Sequence, residues 1–189
     1  MKKFISISVF ILMMLSSLVM YSQKDSISLQ REARKLVREG NKLYNQKKYA
    51  EATISYKKAL EKNSAYTKAT YNLGNSLFQE KNFKEAIPQY KILTENSKDS
   101  FEKAEGYHNI GNAMMEEKNY QGAVDAYKNS LRKNPNDDET RYNLAVAQKL
   151  LEKEKNKDKD KNKDKNKDKN KDKNKDKNKD KDKDKDKDK

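Results

Sequence analysis

Between residues 30 and 150 the chain mixes apolar and polar residues with the spacing of amphipathic helices. Leu, Ile, Ala, Tyr and Phe recur there at intervals that place them on one face of a helix. The pattern is broken by short polar stretches, QKKY at 46–49, EKNF at 80–83 and EKNY at 117–120. Because Lys and Asn in such breaks end the apolar period, the sequence predicts an all-α protein built of helix–turn–helix pairs.

The helical pattern also repeats along the chain. Gly40, Gly74 and Gly111 are spaced by 34 and 37 residues, and a three-residue insertion at 101–103 accounts for the longer interval. Three further sets keep the same spacing: Ala52, Ala86 and Ala123; Tyr56, Tyr90 and Tyr127; and the aromatic residues Tyr49, Phe83 and Tyr120. Four landmarks that share one spacing indicate a repeated structural unit.

A 34-residue period with a small residue at the eighth position and alanine at the twentieth resembles the tetratricopeptide (TPR) repeat. The resemblance implies an all-α superhelical solenoid. Its three repeats would occupy 33–66, 67–100 and 104–137, with a capping helix at 138–151 and a whole TPR domain at 24–151. Three repeats and a cap are near the minimum for a stable solenoid, because each repeat buries its apolar face only against its neighbours.

The repeated glycine needs a structural reason, since glycine inside a helix costs about 1 kcal/mol relative to alanine. We expect the two helices of each repeat, A and B, to approach closely there. The alanines of helix B are the expected opposing small residues. Pro88 departs from the pattern, because it falls inside the second helix B, where its missing N–H should loosen or kink the helix.

One face of helix A carries asparagine at the sixth and ninth positions of the repeat, and in TPR proteins this face lines the concave groove. A carboxamide offers two donors and one acceptor, which suits the backbone of a bound peptide. Alternatively, these asparagines bond to neighbouring helices. Tyr44, Tyr71, Phe78 and Tyr142 are the expected apolar anchors. The predicted peptide-binding residues are Arg34, Arg38, Asn41, Tyr44, Lys68, Tyr71, Asn72, Asn75, Phe78, His108, Asn109, Asn112, Tyr142 and Asn143.

Some TPR adaptors clamp the C-terminal carboxylate of a partner with basic residues around these asparagines. Here Val37, Glu105 and Asn109 occupy the positions where that pattern needs basic side chains, which argues against such a clamp. His108 is the only histidine, there is no cysteine, and no nucleophile, phosphate-loop or paired-carboxylate motif is found. The sequence therefore predicts a non-enzyme with neither a metal nor a cofactor.

The first 23 residues have the pattern of an export signal. Lys2 and Lys3 precede a run from Phe4 to Met20 in which serines are the only polar residues, typical of the charged and apolar regions of a signal peptide. Ser22 could mark a cleavage site, and the run is also just long enough to remain as a membrane anchor. In both cases we expect the rest of the chain to be exported to the periplasm or the periplasmic face of the inner membrane.

Residues 152–189 are almost entirely lysine alternating with Asp or Asn. Such a tail has nothing to bury and is predicted to be disordered. The whole chain carries a net charge of +14, but its basic residues are interleaved with acidic ones rather than gathered in a patch, which argues against a nucleic-acid partner. The tail is interpreted as a solubilising spacer or as a weak tether to an anionic membrane or envelope polymer.

The stretch REGNKLYNQKKYAEA, the closing DETRYNLAVAQKLL and the low-complexity tail together resemble the TPR protein of the bacterial aerotolerance (Bat) operon. That resemblance implies a cell-envelope scaffold that works with membrane-bound von Willebrand factor A domain proteins. The leading hypothesis is a protein–protein interaction scaffold that binds a peptide in the groove. The alternative is a structural or tethering protein whose tail contacts the envelope.

Overall fold

The computed structural model describes Met14 and residues 26–157. Residues 26–157 form seven helices and no strand. The helices are α1 (26–45), α2 (Tyr49–Lys62), α3 (Thr67–Gln79), α4 (Phe83–Asn96), α5 (Ser100–Glu116), α6 (Tyr120–Lys133) and α7 (138–157). The fold class predicted from the sequence, an all-α solenoid of three helix–turn–helix repeats and a capping helix, is confirmed. Helices α1, α3 and α5 are the A helices of successive repeats, α2, α4 and α6 are the B helices, and α7 is the cap.

The core runs along the solenoid between the A and B helices. The small residues Ala52, Ala86 and Ala123 are fully buried, and large residues such as Leu73 and Leu77 of α3 fill the space around them. At the far end, Val124 and Tyr127 of α6 pack with Ala147 of α7. Each helix pair therefore buries its apolar face against the next pair, as the repeat pattern requires.

The repeated spacing of glycine reflects a close approach to tyrosine, not to alanine as we expected. A Cβ added to Gly40 would lie 2.5 Å from Cε1 of Tyr56, and one added to Gly111 would lie 2.4 Å from Cε1 of Tyr127. No side chain can be accommodated at such distances unless the neighbour moves. Because a tyrosine ring is flat and wide, it fills the space that the alanines alone would leave between helices A and B.

The turn between helices A and B has the same geometry in all three repeats. Lys47, Lys81 and Lys118 adopt positive φ angles of 61°, 59° and 59°, a conformation that usually selects glycine. In the third repeat the N–H of Asn119 donates to the Met114 carbonyl at 2.8 Å, and that of Lys118 donates to the Met115 carbonyl at 3.0 Å. These two bonds form a Schellman motif, which satisfies carbonyls at the end of helix A.

Two helices extend past the bounds expected from the sequence, and a third contains a proline. Helix α4 continues through Pro88 from Phe83 to Asn96, and the expected loosening or kink there stays a prediction. The described part of α1 is already helical at 26, seven residues before the predicted first repeat, and α7 is still helical at 157, six residues beyond the predicted capping helix at 138–151. Glu and Lys dominate residues 152–157 and are good helix formers, which accounts for the extra length. The predicted signal or anchor at 1–23, apart from Met14, and the tail beyond 157 lie outside the described residues.

Candidate functional site

Each asparagine at the ninth position is held by a tyrosine of its own repeat. The hydroxyls of Tyr56, Tyr90 and Tyr127 donate to Oδ1 of Asn41, Asn75 and Asn112 at 2.8, 2.9 and 2.7 Å respectively. The tyrosine rings are those that press against the repeated glycines. One side chain of helix B therefore both fills the core and fixes the amide on the exposed side of helix A.

The asparagines also connect neighbouring repeats. Asn72 Nδ2 donates to Oδ1 of Asn41 at 2.8 Å, and Asn109 Nδ2 lies 3.4 Å from Oδ1 of Asn75. At the cap, Asn143 Nδ2 lies 3.5 Å from Oδ1 of Asn112. The sixth-position amides of α3, α5 and α7 thus reach back to the ninth-position amide of the preceding A helix. We call these six asparagines and three tyrosines the amide ladder.

The ladder gives the asparagines a structural role, which was the alternative interpretation of their recurrence. It uses Oδ1 of Asn41, Asn75 and Asn112 as the acceptor of two hydrogen bonds. Within residues 26–157, the Nδ2 groups of these three asparagines have no hydrogen-bond partner. The arrangement therefore leaves amide donors available at the surface, suited to carbonyl or carboxylate oxygens.

The predicted aromatic anchors differ in how much of each ring is accessible. Tyr44 packs edge-on against Tyr49 with ring centroids 5.2 Å apart, and Phe78 packs in the same way against Phe83 at 5.3 Å. Both are half-buried. Tyr142 on α7 is 70% exposed, which makes it the most accessible of the predicted anchors. The fourth, Tyr71, is half-buried and lies 6.4 Å from the ring of Tyr90.

A cavity of about 250 Å³ opens at the N-terminal half of the amide ladder. Its lining residues come from helices α1, α2 and α3: Asn41, Tyr44, Asn45, Tyr56, Asn72 and Asn75. Four of these are predicted site residues, which the fold therefore brings together around one space. Asn45 and Tyr56 join them. The Tyr56 landmark could have indicated this contribution, because tyrosine recurs at the same position in every repeat.

His108 contacts the capping helix. Its Nδ1 lies 2.6 Å from Oγ1 of Thr140, whose hydroxyl donates to Oδ2 of Asp137 at 2.7 Å. Since that hydroxyl has one hydrogen, His108 Nδ1 is the donor to Thr140. Nε2 of His108 lies 3.7 Å from Oε1 of Glu139. His108 thus holds α5 against α7, and neither Thr140 nor Asp137 could be recognised as its partner from the repeat pattern.

Asp137 caps α7. Its Oδ1 accepts the N–H of Thr140 at 2.9 Å, which satisfies one of the free donors of the first helical turn. Burial raises the pKa of Asp137, but the hydrogen bonds from Thr140 outweigh burial and hold this pKa below its ordinary value. The cap is therefore strongest with Asp137 ionised.

The ladder tyrosines are held in the neutral form. Burial raises the pKa of Tyr56 to about 12. Burial also raises the pKa values of Tyr90 and Tyr127 above the ordinary tyrosine value. All three hydroxyls therefore remain donors to their asparagines at neutral pH.

The basic residues of the predicted site lie at its N-terminal end. Arg34, Arg38 and Lys68 are exposed. Val37, one position before Arg38, is only 5% exposed and belongs to the core, so it does not line the groove.

Among the described residues there is no group of three or more His, Cys, Asp or Glu side chains that could hold a metal ion. The same part of the chain contains no helix sufficiently long and apolar to span a membrane.

Successive helix–turn–helix pairs, joined by an amide ladder along one side, define an α-solenoid repeat domain. The chain belongs to the tetratricopeptide repeat family: residues 37–100 and 104–137 match tetratricopeptide repeat profiles, and together they span about half of the chain. No protein of known, curated function matches the sequence.

Solved structures confirm the fold. The first TPR domain of Spaghetti (RPAP3), bound to the HSP90 peptide SRMEEVD, is 24% identical, with a TM-score of 0.60 over 65% of this chain and 94% of that domain. The first TPR domain of human RPAP3 is 24% identical, with a TM-score of 0.61 over 67% and 98%. The Sgt2 TPR domain of Aspergillus fumigatus is 21% identical, with a TM-score of 0.60 over 66% and 82%.

Proposed function

We propose that the protein is a non-enzymatic scaffold that binds a peptide or protein segment along the groove formed by α1, α3, α5 and α7. The observation that carries this proposal is the row of unused amide donors on Asn41, Asn75 and Asn112. Such donors suit the carbonyl groups of a peptide backbone, which every sequence supplies. The cavity beside Tyr44 offers space for one side chain of the ligand, and a similar TPR domain is bound to a peptide.

The ligand is proposed to be an internal segment and not a free C-terminus. A carboxylate clamp would need basic side chains at 37, 105 and 109, where this chain has Val37, Glu105 and Asn109. Val37 is buried, Glu105 is acidic, and Asn109 Nδ2 is directed to Asn75. None of the three can pair with a terminal carboxylate as a lysine or arginine would.

The proposed setting is the bacterial cell envelope. It is supported by the Lys2–Lys3 pair and the apolar run that follows, and by the resemblance to the TPR protein of the aerotolerance operon. Membrane-bound von Willebrand factor A domain proteins are the partners which that resemblance suggests. Cell fractionation of the tagged full-length protein tests the location, and recovery in the cytosol would contradict it.

Site-specific crosslinking tests the function. A photoreactive residue is placed at Asn45, which lines the cavity, and in a matched variant at Lys128, an exposed position on α6. We expect a discrete crosslinked partner from Asn45 and none from Lys128 when the cells are illuminated. In the protein that carries the photoreactive residue at position 45, the double substitution Asn72→Ala/Asn109→Ala should reduce the yield of the crosslinked adduct. Adducts of equal strength at both positions, or an adduct unchanged by the double substitution, would instead favour the tethering hypothesis.

A further inference from the structure

The second position of helix A carries a charge that changes sign once along the solenoid. The four residues are Arg34 on α1, Lys68 on α3, Glu105 on α5 and Glu139 on α7. Since positions two, six and nine share one helix face, these charges lie beside the amide ladder. Glu139 supports this placement, because its carboxylate lies 3.7 Å from Nε2 of His108 on the preceding helix A. We call these four residues the charged edge of the groove.

The basic half of the charged edge is available to a ligand. Arg34 and Lys68 are exposed, and neither forms an ion pair within residues 26–157. Arg38, one turn along α1 from Arg34, adds a second exposed guanidinium on the same face. Guanidinium and ammonium groups without a partner are the usual receptors for carboxylates in proteins.

In the acidic half, neither Glu105 nor Glu139 is paired with a lysine or arginine within residues 26–157, and Glu139 has Nε2 of His108 at 3.7 Å. Burial raises the pKa of Glu105, and repulsion from Glu102 and Asp99 raises it further, so a nearby cation would stabilise the ionised form. Glu139 has a side chain that is 77% exposed. Its neighbour Arg141 does not neutralise it, because that guanidinium is paired with Asp138 and the Pro135 carbonyl.

We propose, resting on the peptide-binding function above, that the groove takes a protein segment with an acidic cluster at one end and a basic cluster at the other. The acidic cluster lies against Arg34 and Lys68, and the basic cluster against Glu105 and Glu139. With neighbouring A helices about 10 Å apart, the edge from α1 to α7 is about 30 Å long. An extended segment of about nine residues spans that distance. The single change of sign sets the direction in which the segment lies.

The chain's own tail does not have this charge pattern. In residues 158–189 lysine alternates with Asp or Asn at every step, which gives 16 Lys against 11 Asp and no block of acidic residues to lie against Arg34 and Lys68. A groove whose sign changes once pairs poorly with such an alternating segment. The occupant is therefore a partner with blocks of like charge.

The test measures fluorescence anisotropy of labelled twelve-residue peptides with the full-length protein at low salt. Two peptides carry four Glu and four Lys as separate blocks in opposite orders, and a third carries the same residues in alternation. We expect one block order to bind at least tenfold more tightly than the alternating peptide, with the difference lost at high salt. An unlabelled peptide of residues 158–189 should not compete. Equal binding of all three labelled peptides, or competition by the tail peptide, would overturn the proposal.

Two double variants with the same change in net charge complete the test. Arg34→Glu/Lys68→Glu reverses the basic half and should weaken binding of the preferred block peptide about tenfold. Lys35→Glu/Lys58→Glu changes exposed residues away from the charged edge and should change the affinity for that peptide less than twofold. Equal effects of the two variants would refute the charged edge. If both variants still crosslink the cellular partner from position 45, and the protein shows no preference for either block order in the peptides, the proposed scaffold function stands. Only the inference of a charged edge is then wrong.

Discussion

Replacing Gly74 by alanine tests whether the repeated glycine is set by tyrosine packing. The added Cβ would lie 2.6 Å from Cε1, 2.9 Å from Cδ1 and 3.0 Å from Cζ of Tyr90. These separations are well inside the 3.5–4.0 Å that carbon atoms prefer. The ring cannot move outward, because Tyr90 is 1% exposed and its hydroxyl is bonded to Asn75.

The expected loss of stability follows from three contributions. Overpacking of a buried ring costs about 1–3 kcal/mol. Displacement of the ring also strains the Tyr90–Asn75 hydrogen bond, worth about 1 kcal/mol, whereas alanine gains about 1 kcal/mol over glycine in helix propensity. Gly74→Ala should therefore destabilise the domain by about 1–3 kcal/mol, which lowers Tm by roughly 4–12 °C.

Gly122→Ala is the matched control on α6. A Cβ there would meet Sδ of Met114 at 2.5 Å and the Asn119 side chain at 3.0 Å. Met114 is half-buried and flexible at its sulfur, so it can move aside at little cost. We expect a change within about 0.5 kcal/mol of zero, because the helix-propensity gain offsets the adjustment.

The two variants are compared by urea and thermal unfolding followed by far-UV circular dichroism. A Gly74→Ala protein as stable as the parent would show that the Tyr90 ring can yield, and the tyrosine-packing explanation would be wrong. Equal destabilisation by both substitutions would also count against it, since that result would indicate a general intolerance of larger residues.

Three further predictions concern the ladder and the turns. Asn75→Ala leaves the buried Tyr90 hydroxyl without its acceptor and should cost about 1–3 kcal/mol of stability. Tyr90→Phe should cost less, because it leaves a half-exposed amide that water can satisfy. Equal losses of stability in urea unfolding would contradict this. Tyr56 titrates near pH 10 when unfolded and at about 12 when folded, so stability should fall across that interval, and Tyr56→Phe should flatten the pH profile. Lys81→Gly should raise the urea midpoint by relieving a positive φ of 59°, worth about 1 kcal/mol, whereas Lys84→Gly inside α4 should lower it.

The sequence predicts the solenoid well because its signal is periodic. The glycine, alanine and tyrosine landmarks recur at one spacing, and each marks a residue that is buried between helices. The partner of each glycine could not be predicted, since the pattern states only that something lies close. Without the backbone positions, the recurring tyrosines Tyr56, Tyr90 and Tyr127 could equally well fill the core or lie directly against the glycines.

The candidate site is predictable only in part. The sixth- and ninth-position asparagines are recognised from their recurrence, but the direction of each amide depends on a contact across repeats, such as Asn72 with Asn41. Val37 is the fifth residue of the first repeat and lies next to the sixth position in the sequence, yet it is part of the core. A helix face that is assigned from the 3.6-residue period alone cannot distinguish a side chain at the edge of the groove from one buried just below it.

The amide ladder decides which substitutions can report on binding. A ninth-position asparagine such as Asn75 supports a buried tyrosine, so its removal lowers stability and binding together, and a loss of binding there proves nothing about the ligand. The sixth-position Asn72 donates one bond to Asn41 and holds no tyrosine. Its truncation should therefore leave the free energy of unfolding almost unchanged, because the Asn41 oxygen keeps its bond from Tyr56. A binding defect in Asn72→Ala without a stability defect is thus the signature of a ligand in the groove.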